Sequence, residues 1–294
     1  MSLDTLPEWL QHEFRTQAPE GERNNHALSI ATSAIRDGLE PDATLMALHE
    51  LYPLARAGEL ELVVRNATKY AETKAEYDPE ALAKSKILSE RSASAAKNLP
   101  RILAAYTFAD VESDTCEMPL IKQRKLFLST MFDPDDIVWV GDEFESGPKY
   151  AHLNKFRKVK MWTGLDCISG EFVSHATFKE GTTSRDIASV EQRMYLVLES
   201  DKLRPVHLSS VAQYLISHYE MKLRAIVTTG GRRFHPDPGL HFWFAWDDYD
   251  ADEIGAVLQG YNCDPATLRA SQPVRLPGCV RKNTGLRQEL LWIG

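Results

Sequence analysis

Two carboxylates at the end of an apolar run are the residues in this chain best suited to chemistry. The stretch Tyr195-Leu196-Val197-Leu198-Glu199-Ser200-Asp201 reads as a buried strand ending in Glu-Ser-Asp. Side chains alternate along a strand, so Glu199 and Asp201 are expected on one face. Neighbouring carboxylates repel each other and are costly to desolvate. A hard divalent cation such as Mg²⁺, which prefers oxygen ligands, removes both costs.

A second motif follows the next apolar run, as Thr228-Thr229-Gly230-Gly231-Arg232-Arg233 and then Gly239-Leu240-His241-Phe242-Trp243-Phe244. Paired glycines after a strand let backbone amides come close to a ligand. Two arginines there provide forked donors suited to phosphate. His235, within the connection, competes with His241 for a functional role. A third motif begins at Asp264 and reaches Arg275 on the strand-like segment Val274-Arg275-Leu276. From Asp264 onward the chain has five basic residues (Arg269, Arg275, Arg281, Lys282, Arg287) against two acidic ones (Asp264, Glu289). A phosphate-facing groove would need such a local excess. Asp247 and Asp248 are alternatives for the third carboxylate.

The elements that must position these residues read as α/β from about residue 100. Helices are expected over 122–130, 206–219 and 252–259, and strands over 137–141, 170–174, 223–228 and 240–246. A loop is expected over 181–185. Residues 1–72 read as a separate helical bundle: Asp37-Gly38 stops one helix and Pro41 starts the next. Residues 73–100, rich in Lys, Glu, Ala and Ser, read as a solvated helical linker, which leaves 101–294 as the catalytic domain.

The 294 residues suffice for two domains, and an apolar fraction of 43% is that of an ordinary globular protein. No apolar run reaches the ~20 residues that cross a bilayer, so no membrane partner is expected. The opening Met1-Ser2-Leu3-Asp4 has no basic or apolar leader character. Four scattered cysteines without CxxC spacing argue against a zinc site or a disulfide framework and fit a cytoplasmic location. The net charge of −8 does not mark the whole chain as a nucleic-acid binder, although a local basic groove can lie within an acidic protein.

In their order, the three motifs resemble those of the archaeo-eukaryotic primase superfamily, in particular the primase–polymerases of plasmids and phages. The resemblance spans about residues 120–294. The pattern of the first 72 residues resembles the small helical domain attached to many such primases, although there the module usually follows the catalytic domain. The family's serine two positions before its histidine is replaced here by Gly239. The resemblance implies an α+β fold with a split, RRM-like catalytic core. It also implies a template-directed nucleotidyltransferase that makes or extends primers on single-stranded DNA. Glu199, Asp201 and Asp264 would bind two Mg²⁺ or Mn²⁺ ions, and His241, Arg232, Arg233 and Arg275 would hold the NTP or dNTP. The alternative is a replication-initiator or template-binding protein that keeps the fold with little catalysis. The sequence contains no ATPase P-loop, so a helicase partner would be a separate chain.

Overall fold

The computed structural model describes residues 8–15, 23–53, 55, 58–72, 79–107, 115, 117–143, 145–231, 239–247 and 249–294. The fold is mixed α+β with several antiparallel sheets, and the chain divides into two compact units, Met1–Leu82 and Ala83–Gly294.

The first unit is helical. It contains α1 (Glu8–Glu13), α2 (Arg23–Arg36), α3 (Pro41–Leu51) and α4 (Glu59–Glu72), with Ala27, Ile30, Ala34, Leu48, Leu60 and Val64 in its core. The signals Asp37-Gly38 and Pro41 act as expected. Gly38 adopts φ 94°, the left-handed conformation that ends a helix most easily without a Cβ. The Leu39 amide then donates back to Ala34 O at 2.9 Å, and Pro41 occupies the first turn of α3.

The second unit begins earlier in the chain than residue 101. Helix α5 (Pro79–Ala105) covers most of the stretch expected to be a solvated linker. Its buried Ala95, Leu99 and Ile102 instead join a core containing Leu208, Val211, Leu215, Ile254 and Leu258. The interleaved Lys and Glu residues lie on its outer side, and the small apolar residues between them make a narrow buried stripe.

There follow α6 (Leu120–Met131), β1 (Ile137–Gly141), β2 (Phe156–Lys158), α7 (Val159–Thr163), β3 (Phe172–Ser174), β4 (Ala176–Phe178), β5 (Val190–Arg193) and β6 (Tyr195–Leu198). Then come α8 (Pro205–Tyr219), β7 (Leu223–Thr228), β8 (Leu240–Ala245) and α9 (Ala251–Gly260). The chain finishes with β9 (Pro273–Arg275), β10 (Cys279–Val280), β11 (Arg287–Gln288) and β12 (Leu290–Ile293). These helices and strands agree closely with the expected positions over 122–130, 137–141, 206–219, 223–228, 240–246 and 252–259.

Two four-stranded sheets dominate, in the orders β2-β1-β3-β9 and β12-β7-β8-β6, with every neighbouring pair antiparallel. The second sheet is buried on both faces. Leu196, Leu198, Ile226, Phe242 and Phe244 face the core built with α5, α8 and α9. Their alternating neighbours Tyr195, Val197, Ala225, Val227 and Trp243 face a second core containing Phe127, Val138, Trp162 and Val274. This double burial explains why the strands read as continuous apolar runs. It also protects β6, which ends the sheet although the sequence places it at the centre of the argument.

Helices α5 and α9 approach closely at Gly260. A Cβ there would lie 2.3 Å from Ser92 O and 2.6 Å from Ala95 Cβ. In an open helix Gly→Ala stabilises by roughly 0.5–1 kcal/mol. Here Gly260→Ala should instead destabilise by about 1–3 kcal/mol, through the overpacking it forces. The midpoint of denaturant unfolding reads the sign directly, and a stabilised variant would show that the crossing is looser.

Candidate functional site

The end of β6 fixes the first carboxylate. β6 and β8 pair antiparallel with Leu198 opposite Phe242, and one step further the same register brings Glu199 beside His241. His241 Nε2 donates to Glu199 Oε2, with the His241 side chain 4% exposed and that of Glu199 30%. His241 Nδ1 has no hydrogen-bond partner among the described residues.

Asp201 reaches its place differently from the expectation. The strand stops at Leu198, and Ser200 Oγ accepts from the amides of Lys202 at 3.1 Å and Leu203 at 2.9 Å. The chain therefore bends, and Asp201 is exposed on that bend instead of following a strand face. A serine between the two carboxylates signals such a turn as readily as it fits a strand.

Asp264 arrives from the loop after α9. Its amide donates to Glu199 O at 2.9 Å, and Ser200 Oγ donates to Asn262 O at 2.5 Å, so one backbone and one side-chain bond tie this loop to the end of β6. Asp264 Oδ1 accepts from the Ala266 amide at 2.8 Å and opens a short 3₁₀ turn, Pro265–Leu268. The Glu199 and Asp264 side chains share a hydrogen bond. Burial, followed by the charges of Glu199 and Asp201, raises the Asp264 carboxyl above its ordinary range, against the Ala266 amide. Burial would also raise Glu199, but His241, the bond from Asp264 and the charge of Arg275 together hold it below its ordinary range. Of the two, Glu199 is therefore the more readily ionised and Asp264 the more readily protonated.

A cavity of about 640 Å³ opens over this point. Its lining carries the carboxylates Glu199, Asp201 and Glu143 and the cations Arg275, Arg281, Lys202 and Arg204. Arg275 lies on β9, paired with β3 so that it stands opposite Phe172, and its guanidinium lies over the Phe172 ring at 4.0 Å. Arg275 Nη1 donates to Glu171 Oε2 at 2.8 Å, and both side chains are largely buried, at 15% and 10% exposure. Glu171 is a site residue that sequence reasoning missed. It precedes a short strand and belongs to no motif, and its link to Arg275 depends on a strand pairing between residues about a hundred positions apart.

Arg232, Arg233 and His235 lie outside the described residues, as does Asp248. The base of their connection is described: the Thr229 amide donates to Gly239 O at 2.8 Å, and the Gly239 amide to Gly231 O at 3.1 Å. A Cβ at Gly239 would lie 2.7 Å from Thr229 Oγ1, which gives a reason for glycine at this position. The alternative third carboxylate Asp247 stands beyond the far end of β8 and pairs with Lys222 at 3.6 Å, away from the Glu199 end.

Among the described residues, no three His, Cys, Asp or Glu side chains already form a coordination cluster. The chemistry of the donors nevertheless fits a hard cation: the oxygen ligands of Glu199 and Asp264 lie within hydrogen-bond reach of each other, and the charge of Asp201 reaches Asp264. No described helix is long and apolar enough to cross a membrane. Comparison with family models, with curated proteins and with solved structures finds no match for this chain.

The Glu171–Arg275 pair gives a stability test. Glu171→Ala would leave Arg275 buried without its partner and should destabilise by about 3 kcal/mol or more, as broken buried ion pairs do. Chemical denaturation measures this, and a loss below ~1 kcal/mol, the range of exposed pairs, would show that Arg275 is solvated instead.

Proposed function

We propose that this chain is a template-directed nucleotidyltransferase of the primase–polymerase kind, which makes or extends primers on single-stranded DNA from NTPs or dNTPs. The observation that carries the reading is the two-signed cavity. Glu199 and Asp201 from the β6 end, the former hydrogen-bonded to Asp264 of the α9 loop, share one pocket with arginines from β9 and the β10–β11 hairpin. A metal–triphosphate complex has the complementary arrangement, cation on one side and phosphate oxygens on the other.

Glu199, Asp201 and Asp264 would hold the metal. When bound, two Mg²⁺ or Mn²⁺ ions supply acidification of the attacking hydroxyl and neutralisation of the leaving pyrophosphate. Glu199 is held ionised and oriented by His241, ready to accept a cation. Asp264, in hydrogen-bond contact with Glu199, would supply the second carboxylate to a cation held there. Arg275, fixed by Glu171 and Phe172, presents its remaining donors to phosphate oxygens without a conformational search. The two antiparallel sheets support a split, RRM-like core for the second unit.

The test is nucleotide incorporation on primed single-stranded DNA with Mg²⁺ or Mn²⁺. Asp201→Ala, on an exposed bend, should fold normally. It should lose at least the ~100-fold that removal of an outer-shell metal partner costs. Near-wild-type incorporation by that variant in excess Mg²⁺ would remove Asp201 from the assignment. Strand binding by the wild type without any incorporation would favour the non-catalytic template-binding alternative.

His241 gives a second, separable prediction. Because its Nε2 is engaged by Glu199, His241→Ala should raise the Mg²⁺ concentration for half-maximal rate by about 10-fold or more, as loss of an orienting partner does. If His241 instead touches the triphosphate, the variant would raise the nucleotide KM at saturating Mg²⁺.

A further inference from the structure

The hairpin formed by β10 and β11 contributes an arginine to the cavity that none of the three motifs includes. Arg281 lines the same pocket as Arg275. Its Nη1 lies 2.6 Å from where a Cβ on Gly231 would stand, so the guanidinium lies directly over that glycine. Its Nε is buried and has no hydrogen-bond partner, and its side chain makes no ion pair among the described residues.

The hairpin is held rigidly. The Arg281 amide donates to Leu286 O at 2.8 Å, and the Gly285 amide returns to Arg281 O at 2.8 Å. Thr284 Oγ1 donates to Gly230 O at 2.7 Å, and Lys282 Nζ pairs with Asp142. The decisive link is Glu171. Its Oε2 takes Arg275, while its Oε1 accepts the backbone amide of Lys282 at 2.6 Å, directly beside Arg281. One buried carboxylate therefore fixes both cationic arms. It neutralises only one of them, and the charge of Arg281 acts against that of Arg275, adding to burial in lowering the Arg275 pKa. Two forked donor groups facing one cavity with a surplus positive charge leave a place for an anion.

We propose that Arg275 and Arg281 form a paired-guanidinium clamp for phosphate oxygens, with Glu171 as its positioning residue, and that the phosphates held are those of the incoming nucleoside triphosphate. The choice of triphosphate rests on the nucleotidyltransferase reading above; the clamp itself does not. A strand's backbone phosphates share the same chemistry, and the experiment separates the two sources.

The probes are inorganic tripolyphosphate without metal, and oligothymidylate, each titrated by calorimetry into the full chain. Arg281→Ala should weaken tripolyphosphate binding by about 10-fold or more, the effect of losing charge-assisted hydrogen bonds. Arg281→Lys should recover only part of it, because an ammonium lacks the fork. Glu171→Gln, which keeps the size and one acceptor, should weaken binding with the melting profile of Arg281→Ala as a folding control. Oligothymidylate binding should be unchanged by Arg281→Ala. Tripolyphosphate affinity within twofold of wild type in both Arg281 variants overturns the clamp. Loss of oligothymidylate binding with tripolyphosphate binding intact overturns the triphosphate assignment in favour of the strand. A wild type that binds tripolyphosphate through Arg281 but incorporates no nucleotide leaves the clamp standing and removes the transfer reaction.

Discussion

The constraint on which the second unit depends is that its β12-β7-β8-β6 sheet is apolar on both faces. Leu196 and Leu198 are committed to one core, Tyr195 and Val197 to the other. A charged side chain within such a strand would be buried without water and would cost several kcal/mol unless paired. Ionisable groups can therefore gather only where strands end. Glu199 occupies the first position past β6, His241 the second position of β8, and each finds the other across the ladder. The site is where it is because the cores leave it nowhere else.

At that edge charges of both signs meet, with Lys202 and Arg204 directly after Asp201. The acidic groups come from the end of β6 and the loop after α9, joined by the Asp264 amide and Glu199 carbonyl. The cations Arg275 and Arg281 come from the strand and hairpin that follow. Carboxylates held together repel unless a proton or cation stands between them, and guanidiniums held together repel unless an anion does. His241 against Glu199 meets part of the first condition, and Glu171 meets half of the second. Each side retains an incompletely balanced charge, and the two imbalances are opposite in sign. A single ligand carrying both signs relieves both, which is the electrostatic core of the functional reading.

Much of this was legible in the sequence for physical reasons. Apolar runs 195–198, 223–228 and 240–245 could be read because a strand buried on both faces leaves an unbroken hydrophobic record. Gly38 and Pro41 were legible because their backbone requirements are nearly unique. Glu199 stood out as the end of an apolar run and Asp264 as the carboxylate before Val274-Arg275-Leu276, and the Asp264 amide joins the two segments at the Glu199 carbonyl. The bend at Asp201 was missed because Ser200 serves a strand or a turn equally well until its neighbours' amides are seen to donate to it. Helix α5 was mistaken for a solvated linker because its buried stripe is made of Ala95, Leu99 and Ile102, set among many charges. Glu171 had no local signal, and Arg281 only a share in the basic excess after Asp264: their link arises only when β3 pairs with β9 and the following hairpin folds back.

That dependence ties the site to the stability of the whole second unit. Glu171 and Lys282 are 111 residues apart in sequence, and Glu199 and Asp264 meet through a loop that closes after α8, β7, β8 and α9. Contacts of this range form only once most of the loop entropy between them has been spent, so no fragment holding a single motif can assemble the cavity. A substitution far from the cavity, such as one that separates α5 from α9 at Gly260, loosens the core beneath β6 and α9 together. Those two elements lead to Glu199 and Asp264, so local loosening there would disturb the contact between the two carboxyls before it unfolds the chain. In this architecture the distance between the two carboxylates is a property of the helix packing behind them, and the helix expected to be a mere linker is part of what sets it.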